Sequence, residues 1–407
     1  MSAQARRLLL GGAVAVVLAL GVGAAFQLER TVPAPTVHGE LPSSYRVPGR
    51  AGSLPWPEEG QAALYLSGFG WLGSTGSETS VPIASVTKIM TALVILRAHP
   101  LRVRMPGPVI TVSATDFELY QSELAAGDSV VKVEAGETLT ELQVLEGLLL
   151  PSGDNLAVLL ANWQAGSEAD FVVQMDQLAT FLHLDHTHFT DSSGLEPGSV
   201  SSARDLVALA TVAMRNPAFA SIVATPMAIL PVAGTIYNYN PILGQDGVIG
   251  VKTGWTANSL GCLVFAAKES VDGRQVQLVG AVLGQPGGPQ SSLVAAGREA
   301  AALLVAVEAE LHPVRLPVGG TTVGQVTSNW ARRITVRAAR RIQLIGVSGA
   351  RLDLRLRFRR LRAPLGRGEE VGSLTVKTPG DFSSREPVAV ARRLANPGLW
   401  WRLTRSH

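Results

Sequence analysis

A chain of 407 residues that is 46% hydrophobic and 16% charged has room for more than one domain and is too apolar for general disorder. Its net charge of +3 conceals an asymmetry, because residues from 331 onward carry 18 Lys and Arg against 5 Asp and Glu, which leaves the rest of the chain net acidic. A single cysteine, Cys262, excludes an internal disulfide and a cysteine-based zinc cluster, and its setting in Gly261-Cys262-Leu263-Val264-Phe265 reads as a buried strand position.

In chain order, Arg6-Arg7 precede an uncharged apolar run of 19 residues, Leu8 to Phe26, long enough to cross a bilayer and long for a signal-peptide core. The basic pair in front places the following chain on the outer face of the membrane. Val22-Gly23-Ala24-Ala25 offers a small-residue cleavage site, so residues 1–26 read either as a retained anchor or as a removed signal peptide, and the Arg-Arg pair also fits twin-arginine export. Residues 27–57, rich in Pro, Ser and Gly without apolar periodicity, read as an extended linker.

From Gln61 the pattern Ala-Ala-Leu-Tyr-Leu, a glycine turn and Gly-Trp-Leu-Gly predicts a hairpin. Ser85-Val86-Thr87-Lys88 then opens an apolar helical run to Leu96, and a helix starting near Ser85 projects Ser85 and Lys88 from one side of its first turn. A hydroxyl beside an amine supplies nucleophile and base, provided the amine is neutral. For an ordinary lysine, losing the proton at neutral pH costs roughly 4–5 kcal/mol, so burial or a second cation has to help. Read alone, the pattern is equally a helix cap followed by a solvated lysine.

Residues 109–133 read as short strands around a polar loop, Ser113 to Ser129. Thr140 with Gln143 forms a capping-box pattern for a helix ending at Pro151, and Leu142, Leu145, Leu148 and Leu149 give that helix its buried face. Pro151-Ser152-Gly153-Asp154-Asn155 is a turn before the next helix, Leu156 to Trp163. A further helical period covers Phe171 to Leu184, the loop Phe189 to Leu195 follows, and Ser201-Ser202-Ala203-Arg204-Asp205 caps the helix Leu206 to Met214. Strand Val248–Val251 leads into Lys252-Thr253-Gly254. Cys262–Ala267 and Val276–Leu283 form a hairpin through Asp272-Gly273, and Ser291 or Ser292 caps a helix from Leu293 to Leu311. Strands at both ends of this region with helices between them imply an antiparallel sheet, a helical subdomain and a cleft between the two. Past Pro313 the strict alternation of Arg351-Leu352-Asp353-Leu354-Arg355-Leu356-Arg357-Phe358-Arg359, with Ile334–Val336, Gly372–Val376 and Val388–Val390, predicts a small basic β-domain.

Ser85-x-x-Lys88, a turn holding Ser152 and Lys252-Thr253-Gly254, in that order and each in its expected local structure, resemble the serine-type D-alanyl-D-alanine carboxypeptidases, the low-molecular-mass penicillin-binding enzymes. The resemblance covers roughly residues 56–312. It implies an α+β fold of the serine β-lactamase and penicillin-binding-protein type, an antiparallel sheet flanked by helices with a helical subdomain, and a small C-terminal β-domain as pedestal. The expected segments are residues 1–26 as signal or anchor, 27–57 as linker, 58–312 as catalytic domain and 313–407 as basic β-domain.

The resemblance further implies that Ser85 attacks the penultimate D-alanine carbonyl of a peptidoglycan stem peptide ending in D-Ala-D-Ala. Lys88 would accept its proton, and Ser152 would bridge Lys88 and Lys252 and relay a proton to the leaving amine. Lys252 would crowd Lys88 electrostatically and, with Thr253, bind the terminal carboxylate, while the N–H groups of Ser85 and Trp255, next to Gly254, form the oxyanion hole. β-Lactams would acylate the same serine, no cofactor is expected, and the enzyme would work on the outer face of the cell membrane or as a secreted protein.

One position departs from the family's Ser-x-Asn turn, since Asp154 stands third and Asn155 fourth. A carboxylate beside Lys88 would favour the ammonium, so the preferred reading makes Asp154 a cap of the following helix and leaves Asn155 to serve the site. His183-Leu184-Asp185-His186-Thr187-His188 suggests a zinc-dependent alternative, but it lacks a His-Glu-x-x-His pair and runs from a helix end into a loop. A serine β-lactamase would need a deacylating glutamate in a later loop, which cannot be placed, and a binding scaffold would not need the two lysines and two serines together. The tail Gly398-Leu399-Trp400-Trp401-Arg402-Leu403-Thr404-Arg405 reads as a surface for anionic lipid or wall polymer, or as tryptophans packed on their own domain; nucleic acid is no partner for an exported domain.

Overall fold

The computed structural model describes residues 3–76, 78–316, 322–340 and 343–405. Asp272 and Gly273 take positive φ angles of 52° and 74°, the left-handed pair that a tight two-residue turn demands, and they close the hairpin Leu260–Val271/Arg274–Gln285. This hairpin is the centre of a five-stranded antiparallel sheet, with Val248–Thr256 on one side and Gln61–Leu66 followed by Gly70–Thr75 on the other.

Successive side chains of these strands pack on opposite faces, as the period of two requires. Cys262, Val264, Ala266, Val279 and Ala281 join a core shared with the helices, whereas Leu263, Phe265, Ala267, Leu278 and Val282 join a second core behind the sheet. Apolar on both faces, the sheet is an internal wall. Its front carries the helical subdomain: Lys88–Ala98, Glu141–Leu149, Asp154–Ala165, Glu168–Phe181 and Ala203–Ala213. Its back carries the helix Pro289–Glu310.

Several boundaries follow their local chemistry. The Thr140–Gln143 capping box forms as the sequence predicts, and Ser202 caps its helix by accepting the Asp205 N–H at 3.1 Å. Ser85 lies on a 3-10 turn, Ala84–Thr87, so the α-helix opens three residues later than expected, at Lys88. The helix at 289 begins on Pro289 after Gly288, not on a serine cap; the buried Ser292 hydroxyl donates back to the Gly288 carbonyl at 2.8 Å. The stretch read as a polar loop after Ser113 is a helix, Ala114–Ala126, with its own Ser113–Asp116 capping box and Gly127 in the left-handed conformation. It buries no residue, and so it carries no apolar stripe to betray it.

A seven-stranded antiparallel sheet forms the C-terminal β-region, in the order Thr36–Gly39, Thr322–Ser328, Ala331–Ala338, Ser383–Val390, Glu370–Lys377, Arg351–Phe358, Ser44–Arg46. Both edge strands come from the stretch expected to be an extended linker. That expectation is corrected: Thr36–Gly39 pairs with Thr327–Gly324, Ser44–Arg46 pairs with Asp353–Arg351, and the buried Val47 donates its N–H to the Ala350 carbonyl at 2.8 Å. The alternation of residues 351–358 places Leu352 and Leu354 inside and the arginines outside. The apolar cluster behind the five-stranded sheet runs without a break into this second sheet.

Because Ser44–Arg46 is paired strand and the buried Val47 is hydrogen-bonded to Ala350, trypsin is expected to leave the Arg46–Val47 bond intact in the native full chain and to cut it only on unfolding. Rapid native cleavage there, read by mass spectrometry, would contradict the pairing.

Candidate active site

The first helical turn and the end of the Val248–Thr256 strand meet at a glycine. A Cβ on Gly254 would stand 2.9 Å from the Ile83 carbonyl oxygen and 3.0 Å from the Ser85 and Val86 nitrogens, so only glycine lets the strand approach the turn that carries Ser85. The cleft in front of this contact has a volume of about 680 Å³. Ser85, Ser152, Thr253, Gly254 and Trp255 line it together with Tyr239, Leu293 and Val294.

Beneath Ser85 lies Lys88, fully buried. Its Nζ makes three hydrogen bonds: 2.8 Å to Ser85 Oγ, 2.5 Å to Asp154 Oδ1 and 2.8 Å to the Ser193 carbonyl. Three acceptors match the three protons of an ammonium; a neutral amine would instead accept from the Ser85 hydroxyl. Asp154 is 1% exposed and takes the Ser129 N–H at 3.1 Å on its other oxygen. Burial raises the Asp154 pKa above the usual carboxylate range, and the neighbouring Lys88 pulls it back down.

The preferred reading of the Asp154-Asn155 pair is therefore reversed. Asp154 holds the third position of the motif and does not cap its helix, whose N-cap Gly153 makes no side-chain cap. Asn155 faces away: its Oδ1 accepts the Val131 N–H and its Nδ2 donates to the Val131 carbonyl, both at 2.9 Å. Together with the Asp154 N–H to Ser129 carbonyl bond of 2.7 Å, Asn155 sews residues 129–131 onto the start of the helix.

Ser152 sits in the left-handed region at φ 70°, and its Oγ, which lines the cleft, is buried with no hydrogen-bond partner. Lys252 is 1% exposed, and its Nζ donates to the Thr253 carbonyl at 2.9 Å. Burial, reinforced by the charge of Lys88 and partly offset by Asp154, holds its pKa well below the usual lysine range. The expected electrostatics are thus inverted. Lys252 was to be the cation that discharges Lys88, yet the carboxylate lies against Lys88 and the depressed amine is Lys252.

Four contributors escaped the sequence. The Ser193 carbonyl is presented by a loop that Asp191 ties down, its Oδ2 accepting from the Ser193 hydroxyl and the Gly194 and Leu195 N–H groups at 2.7–2.8 Å. Ser129 and Tyr239 line the cleft from connections without periodicity. Glu123, on the unforeseen helix, has a buried Oε2 without a partner, and desolvation, then the charges of Asp154 and Asp128, raise its pKa to about 7. Only the capping signature Ser113-x-x-Asp116 could have revealed that helix. The histidine stretch gathers no metal set: His188 pairs with Asp176 at 2.9 Å while 61% exposed, and among the described residues no three His, Cys, Asp or Glu side chains are grouped to hold a metal ion.

The sequence profile of peptidase family S11, D-alanyl-D-alanine carboxypeptidase, matches residues 72–287, more than half of the chain. The chain belongs to this carboxypeptidase family. It is 35% identical over 228 residues to the D-alanyl-D-alanine carboxypeptidase DacB2 of Mycobacterium tuberculosis, covering 53% of this chain and 74% of that protein. A longer match, 27% identical over 331 residues, joins it to the D-alanyl-D-alanine carboxypeptidase DacF of Bacillus subtilis and covers 78% of this chain and 80% of the relative. In fold it is similar to penicillin binding protein 5 from Haemophilus influenzae, with a TM-score of 0.62 at 19% identity over 85% of this chain and 99% of that one.

In this carboxypeptidase the carboxylate and the amide of residues 154 and 155 have separate tasks, and stability can tell them apart. Asn155→Ala is expected to lower unfolding free energy by about 2–4 kcal/mol in urea titrations, because the buried N–H and C=O of Val131 both lose their partner. An unchanged midpoint would sink that assignment.

Proposed function

We propose that this serine-type D-alanyl-D-alanine carboxypeptidase removes the terminal D-alanine of peptidoglycan stem peptides through an acyl-enzyme on Ser85, and that a Ser85–Lys88–Asp154 line manages the proton. The reading is carried by one observation, the 2.8 Å contact between Lys88 Nζ and Ser85 Oγ at a site closed to water from below. Ser85 Oγ attacks the penultimate D-alanine carbonyl while its proton passes to Lys88, which must first have released one. Asp154, with its raised pKa and 2.5 Å contact, is the group able to hold that released proton.

Developing charge on the carbonyl oxygen falls to the N–H groups of Ser85 and Trp255, as the family resemblance implies. The proton that Lys88 takes from Ser85 returns to the departing D-alanine amine through Ser152, whose hydroxyl, without a partner in the protein, gives its own proton to the amine and takes up the one held by Lys88. Lys252 and Thr253 receive the substrate's terminal carboxylate. An anion arriving beside an amine of depressed pKa favours its protonation, so substrate itself would charge Lys252. Water then hydrolyses the ester; a β-lactam enters by the same attack and leaves the serine acylated.

The stretch Leu10–Glu29, 20 residues of mean hydropathy 1.9 and none of them buried, supports an N-terminal membrane anchor with the catalytic region outside the cell. The full chain in detergent is expected to release D-alanine from a D-alanyl-D-alanine peptide and to be labelled covalently by a fluorescent penicillin. Ser85→Ala is expected to lose both by at least about a thousandfold. Persistent labelling of Ser85→Ala would place the nucleophile elsewhere, and penicillin turnover without D-alanine release would make the chain a β-lactamase.

A further inference from the structure

The end of the N-terminal helix meets the C-terminal segment. Arg405 reaches back to the end of the N-terminal helix Ala3–Glu29, donating to the carbonyls of Arg30 at 2.8 Å, Thr31 at 3.1 Å and Gln27 at 3.2 Å, and Arg402 donates to that of Leu28. Cationic side chains on these terminal carbonyls satisfy groups that a helix leaves open and oppose its dipole. The short helix Leu399–Thr404 that carries the arginines is pinned to the β-domain by Trp401, whose Nε1 donates to the Asn329 carbonyl at 3.2 Å and whose ring lies 5.5 Å from that of Trp330. Leu399 and Trp400 on the same helix are 64% and 79% exposed.

Beside this junction lies a cavity of about 570 Å³ between residues 31–35 and 396–402. Arg362, Arg402 and Asn396 supply its polar wall, and among the described residues no carboxylate lines it. Arg402 also keeps a buried Nε without a partner. Two guanidinium groups without a counter-charge describe a pocket for an oxyanion. Its position says which one. If the N-terminal helix spans the bilayer, its last turn lies at the outer interface, and so does everything bound to that turn, with Trp400 and Leu399 at the depth where amphipathic and apolar side chains partition into lipid.

We propose that this cavity binds the phosphodiester of an anionic phospholipid headgroup, with Leu399 and Trp400 inserted beside it, so that the end of the N-terminal helix, the segment 396–405 and the basic β-domain are clamped against the membrane. The inference rests on the anchor reading of the N-terminal helix and is independent of the chemistry at Ser85. The clamp fixes the β-domain, and through the shared apolar core the catalytic cleft, relative to the bilayer, which a single flexible anchor would not do.

The test is quenching of Trp400 fluorescence in the full chain reconstituted into vesicles of brominated phosphatidylglycerol or brominated phosphatidylcholine, with Trp400→Phe identifying the signal of that residue. Roughly twofold stronger Trp400 quenching in phosphatidylglycerol is expected, together with loss of that preference in Arg362→Gln and unchanged D-alanine release in detergent. Equal quenching in both lipids would overturn the headgroup site. Loss of the preference on adding inorganic phosphate would make the pocket a free-anion site and overturn the lipid assignment. Protein that floats with the vesicles while Trp400 is not quenched would overturn the clamp but leave the anchor standing; protein that fails to float would overturn both.

Discussion

A buried proton inventory governs this site. Two amines and one carboxyl group, Lys88, Lys252 and Asp154, stand together with at most 1% of their surfaces in water. Charges taken out of water are expensive unless paired, so the protein cannot keep all three ionised at will. It places the carboxyl against Lys88 at 2.5 Å and leaves Lys252 with a backbone carbonyl. The burial that depresses Lys252 also raises Asp154. The reactive serine sits at the mouth of this arrangement, half-buried, with the amine directly below it.

Everything else in the catalytic region keeps that arrangement dry and aligned. The five-stranded sheet, apolar on both faces, is a rigid wall that presents Lys252 and Thr253 at its edge strand. Gly254 allows that edge to touch the turn of Ser85, and Gly194 does the same from below, where a Cβ would lie 1.9 Å from the Ala84 carbonyl oxygen. Asp191 organises the loop whose Ser193 carbonyl takes the third Lys88 proton. Asn155 holds the rim at residues 129–131, from which the Ser129 N–H reaches Asp154. A Lys–Asp pair in the interior is thereby given three further hydrogen bonds, which is what a buried ion pair requires to be tolerated.

The sequence revealed the fold class and the family because both depend on short-range rules. Apolar periods and caps placed the helix after Thr140 and the hairpin through Asp272-Gly273, and motif order singled out Ser85, Ser152 and Thr253, which line one cleft, with Lys88 buried beneath Ser85. It did not reveal what depends on tertiary contact. Neighbours in sequence, Asp154 and Asn155 differ in function only because a helix start points one at Lys88 and the other at Val131. The Ser193 carbonyl is a backbone atom and leaves no residue signature. The helix Ala114–Ala126 buries no side chain, so periodicity could not show it, and residues 36–46 lack a strand pattern because they are edge strands whose partners lie about 290 residues or more away.

The proposed role of Asp154 as acceptor of the Lys88 proton is tested most directly by the rate of Ser85 acylation by penicillin as a function of pH, in the wild type and in Asp154→Asn. The amide preserves an oxygen for Lys88 but cannot take up the proton that Lys88 must release, so acylation of the variant is expected to fall by at least about tenfold across the pH range. Superimposable pH–rate profiles for the two proteins would contradict the account.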